Sequence, residues 1–164
     1  MKKFLAFIAL SFFSLSSFAQ QESLGCIDRD LKVQSEEPKN SFKKQGLNVF
    51  RDAMFTMQPL TPTPVGVQMV KGRMYQLIYV ASKRASRADL EIFDGNDKKI
   101  VSKRMDKGGY NYIVYSFIPD KTDLYLVVLN QKFKGKNACG SFTILHDGPV
   151  EGAKPADNSL PKKK

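Results

Sequence analysis

The sequence predicts an all-β fold: an antiparallel, jelly-roll-like β-sandwich of about eight strands with one short N-terminal helix. Three observations predict it. Short runs rich in β-branched and aromatic residues recur, such as DLYLVVLN at 123–130 and CGSFTILH at 139–146. Turn chemistry separates them, as in Asp94-Gly95-Asn96-Asp97, Lys107-Gly108-Gly109 and Pro119-Asp120-Lys121. Almost no segment between the runs carries a helical period. A barrel built from the same strands is the alternative.

The chain opens with MKKFLAFIALSFFSLSSFA: two lysines, an apolar run, then Ser17 and Ala19 in the −3 and −1 positions of a signal-peptidase site. Residues 1–19 are therefore expected to be a signal peptide, and the protein to be exported, to the periplasm or the cell surface and beyond. The apolar core from Phe4 to Leu10 is too short to span a bilayer, so the protein is not expected to be membrane-spanning. Without Lys2 and Lys3, the 26 basic residues fall to 24 against 16 acidic ones, a formal charge of +8. That excess bears on partners. Export places Cys26 and Cys139 in an oxidising compartment, where a disulfide between them is expected.

Residues 20–46 read as an N-terminal segment with a helix from about Glu36 to Gln45. Ser35 is the expected cap, Lys43 and Lys44 suit the last turn, and Gly46 suits a left-handed C-terminal position. At Leu47 the period becomes twofold, through Val49, Ala53, Phe55 and Met57, which reads as a strand with a helix continuation as competitor. Phe50 and Met54 blur its polar side. Thr61-Pro62-Thr63-Pro64 is expected to break that strand. Val65, Val67 and Met69 begin the next one, and Lys71-Gly72 turns it into a hairpin with Tyr75, Leu77 and Tyr79. The runs at 88–94, 98–105, 111–118, 123–130 and 139–146 complete a sandwich domain over 47–147. Residues 148–164, PVEGAKPADNSLPKKK after Gly148, read as a disordered basic tail.

Gly72-x-x-Tyr75-x-Leu77, Leu90-x-Ile92-Phe93-Asp94, Phe117-x-Pro119 with Leu124-Tyr125-Leu126-Val127-Val128, and Gly140-x-Phe142-x-Ile144 follow one another in an order that resembles bacterial pre-peptidase C-terminal domains. These are small jelly-roll sandwiches commonly attached to secreted enzymes. The resemblance spans residues 65–146 and implies a non-catalytic binding or accessory module. It departs in having no peptidase domain and in carrying Asp123-Leu124-Tyr125 where a Gly-Tyr is usual.

The chemistry points the same way. Nucleophilic hydrolysis needs a base and a group to orient it, and His146 is the only histidine. No P-loop, dinucleotide fingerprint or zinc spacing is present, so the reading is a non-enzyme without cofactors. Asp94, Asn96 and Asp97 are a calcium candidate, set against a hairpin turn with Gly95 or Asn96 at positive φ. The basic residues form three groups: Lys83, Arg84 and Arg87; Lys98, Lys99, Lys103 and Arg104; Lys132, Lys134 and Lys136. They suit a protein or anionic envelope component as partner, with a polysaccharide as a further candidate. Solubility and protection of strand edges are the competing explanation. Tyr110, Tyr112 and Tyr115 are a candidate aromatic platform, as in a carbohydrate-binding module. Nucleic acid is not expected, since export and the lack of a reading motif oppose it.

Overall fold

The computed structural model describes residues 25–106 and 110–148, so the expected signal peptide and nearly all of the expected tail lie outside the described residues. Helix α1 (Arg29–Lys44) precedes eight strands: β1 (Asn48–Met57), β2 (Thr63–Met69), β3 (Tyr75–Val80), β4 (Arg87–Phe93), β5 (Lys99–Asp106), β6 (Tyr112–Phe117), β7 (Asp123–Lys132) and β8 (Ala138–His146). They form two four-stranded sheets, β1-β8-β3-β6 and β2-β7-β4-β5, in which every neighbouring pair is antiparallel. The inner faces meet in one core, with Val67, Met69, Tyr79, Leu90, Tyr125 and Phe142 almost wholly buried. At roughly 1.5–3 kcal/mol for each large side chain buried, this core is the main stabilising term. The expected sandwich is the one observed.

The helix begins about two turns earlier than its sequence suggests. Its cap is Asp28, whose carboxylate accepts the Leu31 N–H at 3.0 Å. Ser35, the expected cap, lies buried inside the helix and donates to the Lys32 carbonyl at 2.8 Å. The line that packs on the first sheet runs through Leu31, Ser35 and Lys39, and its hydroxyl and ammonium hide the apolar period. Pro38 is interior to the helix, where a missing N–H and a ring clash oppose it; packing of this line outweighs that cost. The C-terminal end follows expectation. Gly46 has φ +89°, its N–H reaches Lys43 O, and the Leu47 N–H reaches Phe42 O, a Schellman closure with Leu47 and Phe42 in one apolar cluster.

That cluster, Leu31, Leu47, Ile78, Val80, Cys139 and Leu145, fills the space between α1 and the outer face of the first sheet. It explains why β1 looked ambiguous. Phe55 and Met57 face the sandwich core, whereas Val49 and Met54 face the helix side, and a bulge between Val49 and Arg51 resets the alternation at Phe50. Apolar residues therefore lie on both faces of this strand, although Arg51, Asp52, Ala53 and Thr56 stay exposed.

One expected pairing is wrong. β2 and β3 are not a hairpin: β2 pairs with β7 in the second sheet, and β3 pairs with β6 and β8 in the first. Every residue of β3 is buried, so it needs cover on both faces, which a central place in the helix-covered sheet supplies. The turn residues do reverse the chain, with Gly72 at φ +76° and its N–H on Pro119 O, but the reversal carries it across the sandwich. The expected break after β1 is present, since β1 ends at Met57, but Thr63 and Pro64 already belong to β2, where proline is tolerated because β2 is an edge strand.

Candidate functional site

Two loops at one end of the sandwich share a single buried anchor. Gln131, at the end of β7, is fully buried, and its Oε1 accepts the Ser82 N–H (3.0 Å) while its Nε2 donates to the Cys139 carbonyl (3.3 Å). Its backbone carbonyl takes the Leu60 N–H at 3.0 Å. One side chain and its own peptide thus tie together the β1–β2 loop, the β3–β4 loop and the start of β8. Further bonds join the β3–β4 and β7–β8 loops: Ser86 N–H to Lys132 O (2.7 Å), and Arg84 Nη2 to Asn137 O (2.6 Å). Gly135 turns at φ +111° beneath the Arg84 guanidinium, which lies 3.4 Å from where a Cβ would stand. A side chain there would meet both strain and a crowded neighbour.

Two of the three basic groups therefore converge. Lys83, Arg84 and Arg87 come together with Lys132, Lys134 and Lys136, because Arg87 pairs with Lys132 across β4 and β7 and the loops bond to each other. Lys83 pairs with Asp30 at the start of α1 (3.1 Å), an exposed pair of small energetic weight. Arg87 and Arg104 both hold the Asp89 carboxylate, at 2.8 and 2.7 Å. Lys132, Lys134 and Lys136 are exposed and form no ion pair among the described residues. The remaining group is scattered. Lys98 and Lys99 belong to the opposite end of β4, where Lys99 pairs with Glu91 (2.9 Å), and Lys103 lies over the Tyr115 ring at 4.8 Å.

The three tyrosines do not form one surface. Tyr110 is 76 % exposed and lies against Tyr112, 5.2 Å between ring centres. Tyr112 packs with the cluster under the helix, whereas Tyr115, on the other face of β6, packs against the sandwich core. The calcium candidate is a working turn. Asp94 Oδ1 accepts the N–H groups of Asn96 and Lys98, both at 3.0 Å, and Asp97 has the positive φ (59°) expected of Gly95 or Asn96. Gly95 lies close under the Asp123 carboxylate, 2.5 Å from where a Cβ would stand, so a larger residue there would have to displace that side chain. Among the described residues no three His, Cys, Asp or Glu side chains gather as a metal set.

His146 is buried, edge-on to Phe50 and Tyr75, and its Nδ1 accepts the Gly148 N–H at 2.8 Å, which occupies the lone pair a general base would use. Burial, with the Asp89 charge adding to it, raises the Tyr79 hydroxyl well above the ordinary phenol range, so it serves as a fixed donor to Asn130 O (3.3 Å). A groove of about 460 Å³ runs between α1 and β1, lined in part by Ile27, Met54, Lys39 and Asp52. Lys39 is 4 % exposed, and its ammonium bonds Asp52 and Glu36, both at 2.8 Å. Burial lowers the Lys39 pKa, the two carboxylates outweigh it, and the net shift is upward. Thr143 completes the set by donating to Asp52 at 2.6 Å. These groups saturate one another and pin the helix to the sheet.

Cys26 and Cys139 form the expected disulfide, with Cα atoms 5.6 Å apart, beside the Gln131 anchor. The sequence missed Gln131 and Leu60. An isolated glutamine at the end of an alternating strand was the only trace of the first, and Leu60 between two prolines the only trace of the second.

No family model matches the chain, so the likeness to pre-peptidase C-terminal domains stands on strand pattern alone, and no curated protein matches it. Among solved structures, the chain is similar to the Aeromonas hydrophila periplasmic inhibitor of g-type lysozyme, PliG, at 12 % identity and TM-score 0.46, covering 62 % of this chain and 89 % of that one. It is similar to a Streptococcus pneumoniae fucose-binding module at 16 % identity and TM-score 0.37, covering 58 % and 70 %. A carbohydrate-binding module described as CBM4 matches at 12 % identity and TM-score 0.36, covering 62 % and 75 %.

Proposed function

We propose that the protein is an exported, non-catalytic binding module whose contact surface is the end of the sandwich where the two lysine-bearing loops meet, and that it engages an anionic component of the cell envelope. The observation that carries this reading is the convergence of Lys83, Arg84, Lys132, Lys134 and Lys136 on loops fixed through Gln131. Loops already held in place lose little freedom on binding, so more of the interaction energy appears as affinity. Lys132, Lys134 and Lys136, exposed and in no ion pair among the described residues, keep their charge available to steer an anionic partner. The disulfide and the signal-like first 19 residues support export. The enclosed His146 supports the absence of catalysis.

The test uses residues 20–164 with the disulfide intact, immobilised and exposed to detergent-solubilised envelope from the native cells. A specific component is expected to be retained and released by salt, and a K132E/K134E/K136E variant is expected not to retain it. Retention of the same component by both proteins at the same salt concentration would count against the reading.

A further inference from the structure

Leu60 is a conformational outlier outside both buried apolar clusters. It sits at φ +57°, in the left-handed region that side chains beyond glycine, asparagine and aspartate avoid. The other described non-glycine residue there is Asp97, which belongs to a turn that aspartate suits. For Leu60 the turn is closed by backbone bonds, Thr61 N–H to Gln58 O at 3.3 Å and Leu60 N–H to Gln131 O at 3.0 Å, with a long bond from the Thr61 hydroxyl to Pro59 O (3.5 Å), and none of these uses the leucine side chain. Glycine or asparagine would satisfy the same bonds with less strain. Nor does burial offset the cost, because Leu60 is 52 % exposed. Local strain of this kind concentrates where a side chain must be presented.

Its place gives the presentation a direction. The bond to Gln131 O puts Leu60 beside Lys132, on the end of the sandwich where the basic loops meet. Pro59 and Pro62 flank it and stiffen the loop, so holding the leucine out carries little further ordering on contact. An apolar tip fixed on a stiffened loop beside Lys132, at the end of the sandwich that also carries Lys134 and Lys136, is complementary to an apolar pocket with an acidic border. Protein surfaces have such pockets. A polysaccharide instead offers sugar faces that stack on aromatic rings, and Tyr112 and Tyr115 face away from each other.

Resting on the binding reading above, we infer that Leu60 is the apolar anchor of an interface with an acidic protein, seated in a pocket whose carboxylates meet Lys132, Lys134 and Lys136. A photoreactive residue at the exposed Asn137 position captures the contacting molecule in native cells, and mass spectrometry identifies it. That protein, purified, is titrated with the wild-type chain, Leu60→Gly, Leu60→Asn and K132E/K134E/K136E. Losing a seated leucine is expected to weaken binding by about 10- to 100-fold. Both Leu60 variants are expected to keep the wild-type thermal midpoint or exceed it, since both residues accept a positive φ, and two variants guard against one that folds poorly. Wild-type affinity in both Leu60 variants, with the lysine variant weakened, overturns the anchor and leaves the basic surface standing. Wild-type affinity in the lysine variant overturns both. Crosslinking that yields glycan in place of protein also overturns the inference.

Discussion

Replacing Gln131 with methionine removes the anchor on which the loop arrangement depends. Methionine has nearly the length and volume of glutamine but only a weak thioether acceptor. Ser82, 6 % exposed, then loses the acceptor for its N–H, and Cys139 O loses a 3.3 Å donor. A stranded buried amide costs about 1–3 kcal/mol and a long neutral bond about 0.5–1 kcal/mol, so the variant should lose about 1.5–4 kcal/mol. Urea unfolding with the disulfide intact reads this as a lower midpoint at unchanged slope. Amide exchange adds a local readout. The Ser82 amide should lose protection, whereas that of Leu60, bound to the Gln131 backbone carbonyl, should keep it. A loss below about 0.5 kcal/mol with Ser82 still protected would refute the claim that this side chain holds the loops.

Four further outcomes are expected. Asp52→Ala should cost more than Lys39→Met, because it leaves an ammonium with 5 % side-chain exposure on one carboxylate and strands Thr143, whereas Asp52 and Glu36, at 43 and 42 %, can rehydrate. Discounted for that exposure, chemical denaturation should show about 2–3 kcal/mol for the first and about 1 kcal/mol or less for the second. The raised Lys39 pKa makes its contribution complete below pH 10.5 and lost as pH rises through the higher folded-state value, so Lys39→Met should flatten the stability curve in that alkaline range. A double Cys26→Ser, Cys139→Ser variant should lose at most about 5 kcal/mol of stability, the chain-entropy value for a closed loop spanning 113 residues, read as a fall in thermal midpoint. Asp94→Ala should cost about 1–2 kcal/mol through its two turn bonds, while added calcium should leave the wild-type midpoint where it was.

The sandwich was legible because alternation and turn chemistry are local. The β4–β5 hairpin, for example, is written in the FDGNDKK stretch that closes on Asp94. Pairing partners were less legible. Lys71-Gly72 announces a reversal, but only the burial of all six residues of β3 decides that the chain crosses to the other sheet. The start of α1 was hidden because its buried line contains Ser35 and Lys39, polar residues made acceptable by partners far away in sequence, above all Asp52. The candidate site was half legible. Charge identified the lysine loops, but nothing in the order of residues brings 82–86 to 132–137, or Leu60 to Gln131, because those approaches are made by sheet register. Tyr115 was grouped with Tyr110 and Tyr112 by closeness in sequence, and strand parity separates it from Tyr112.

The most direct test of the binding account is the salt dependence of association with the purified partner, compared between the wild-type chain and K132E/K134E/K136E by stopped-flow mixing. If the loop end is the contact surface, the wild-type association rate falls steeply as ionic strength rises, because the Debye length shrinks from about 30 Å at 0.01 M to about 8 Å at 0.15 M, while the variant is slower and nearly flat. Equal rates with equal salt slopes in the two proteins would contradict it.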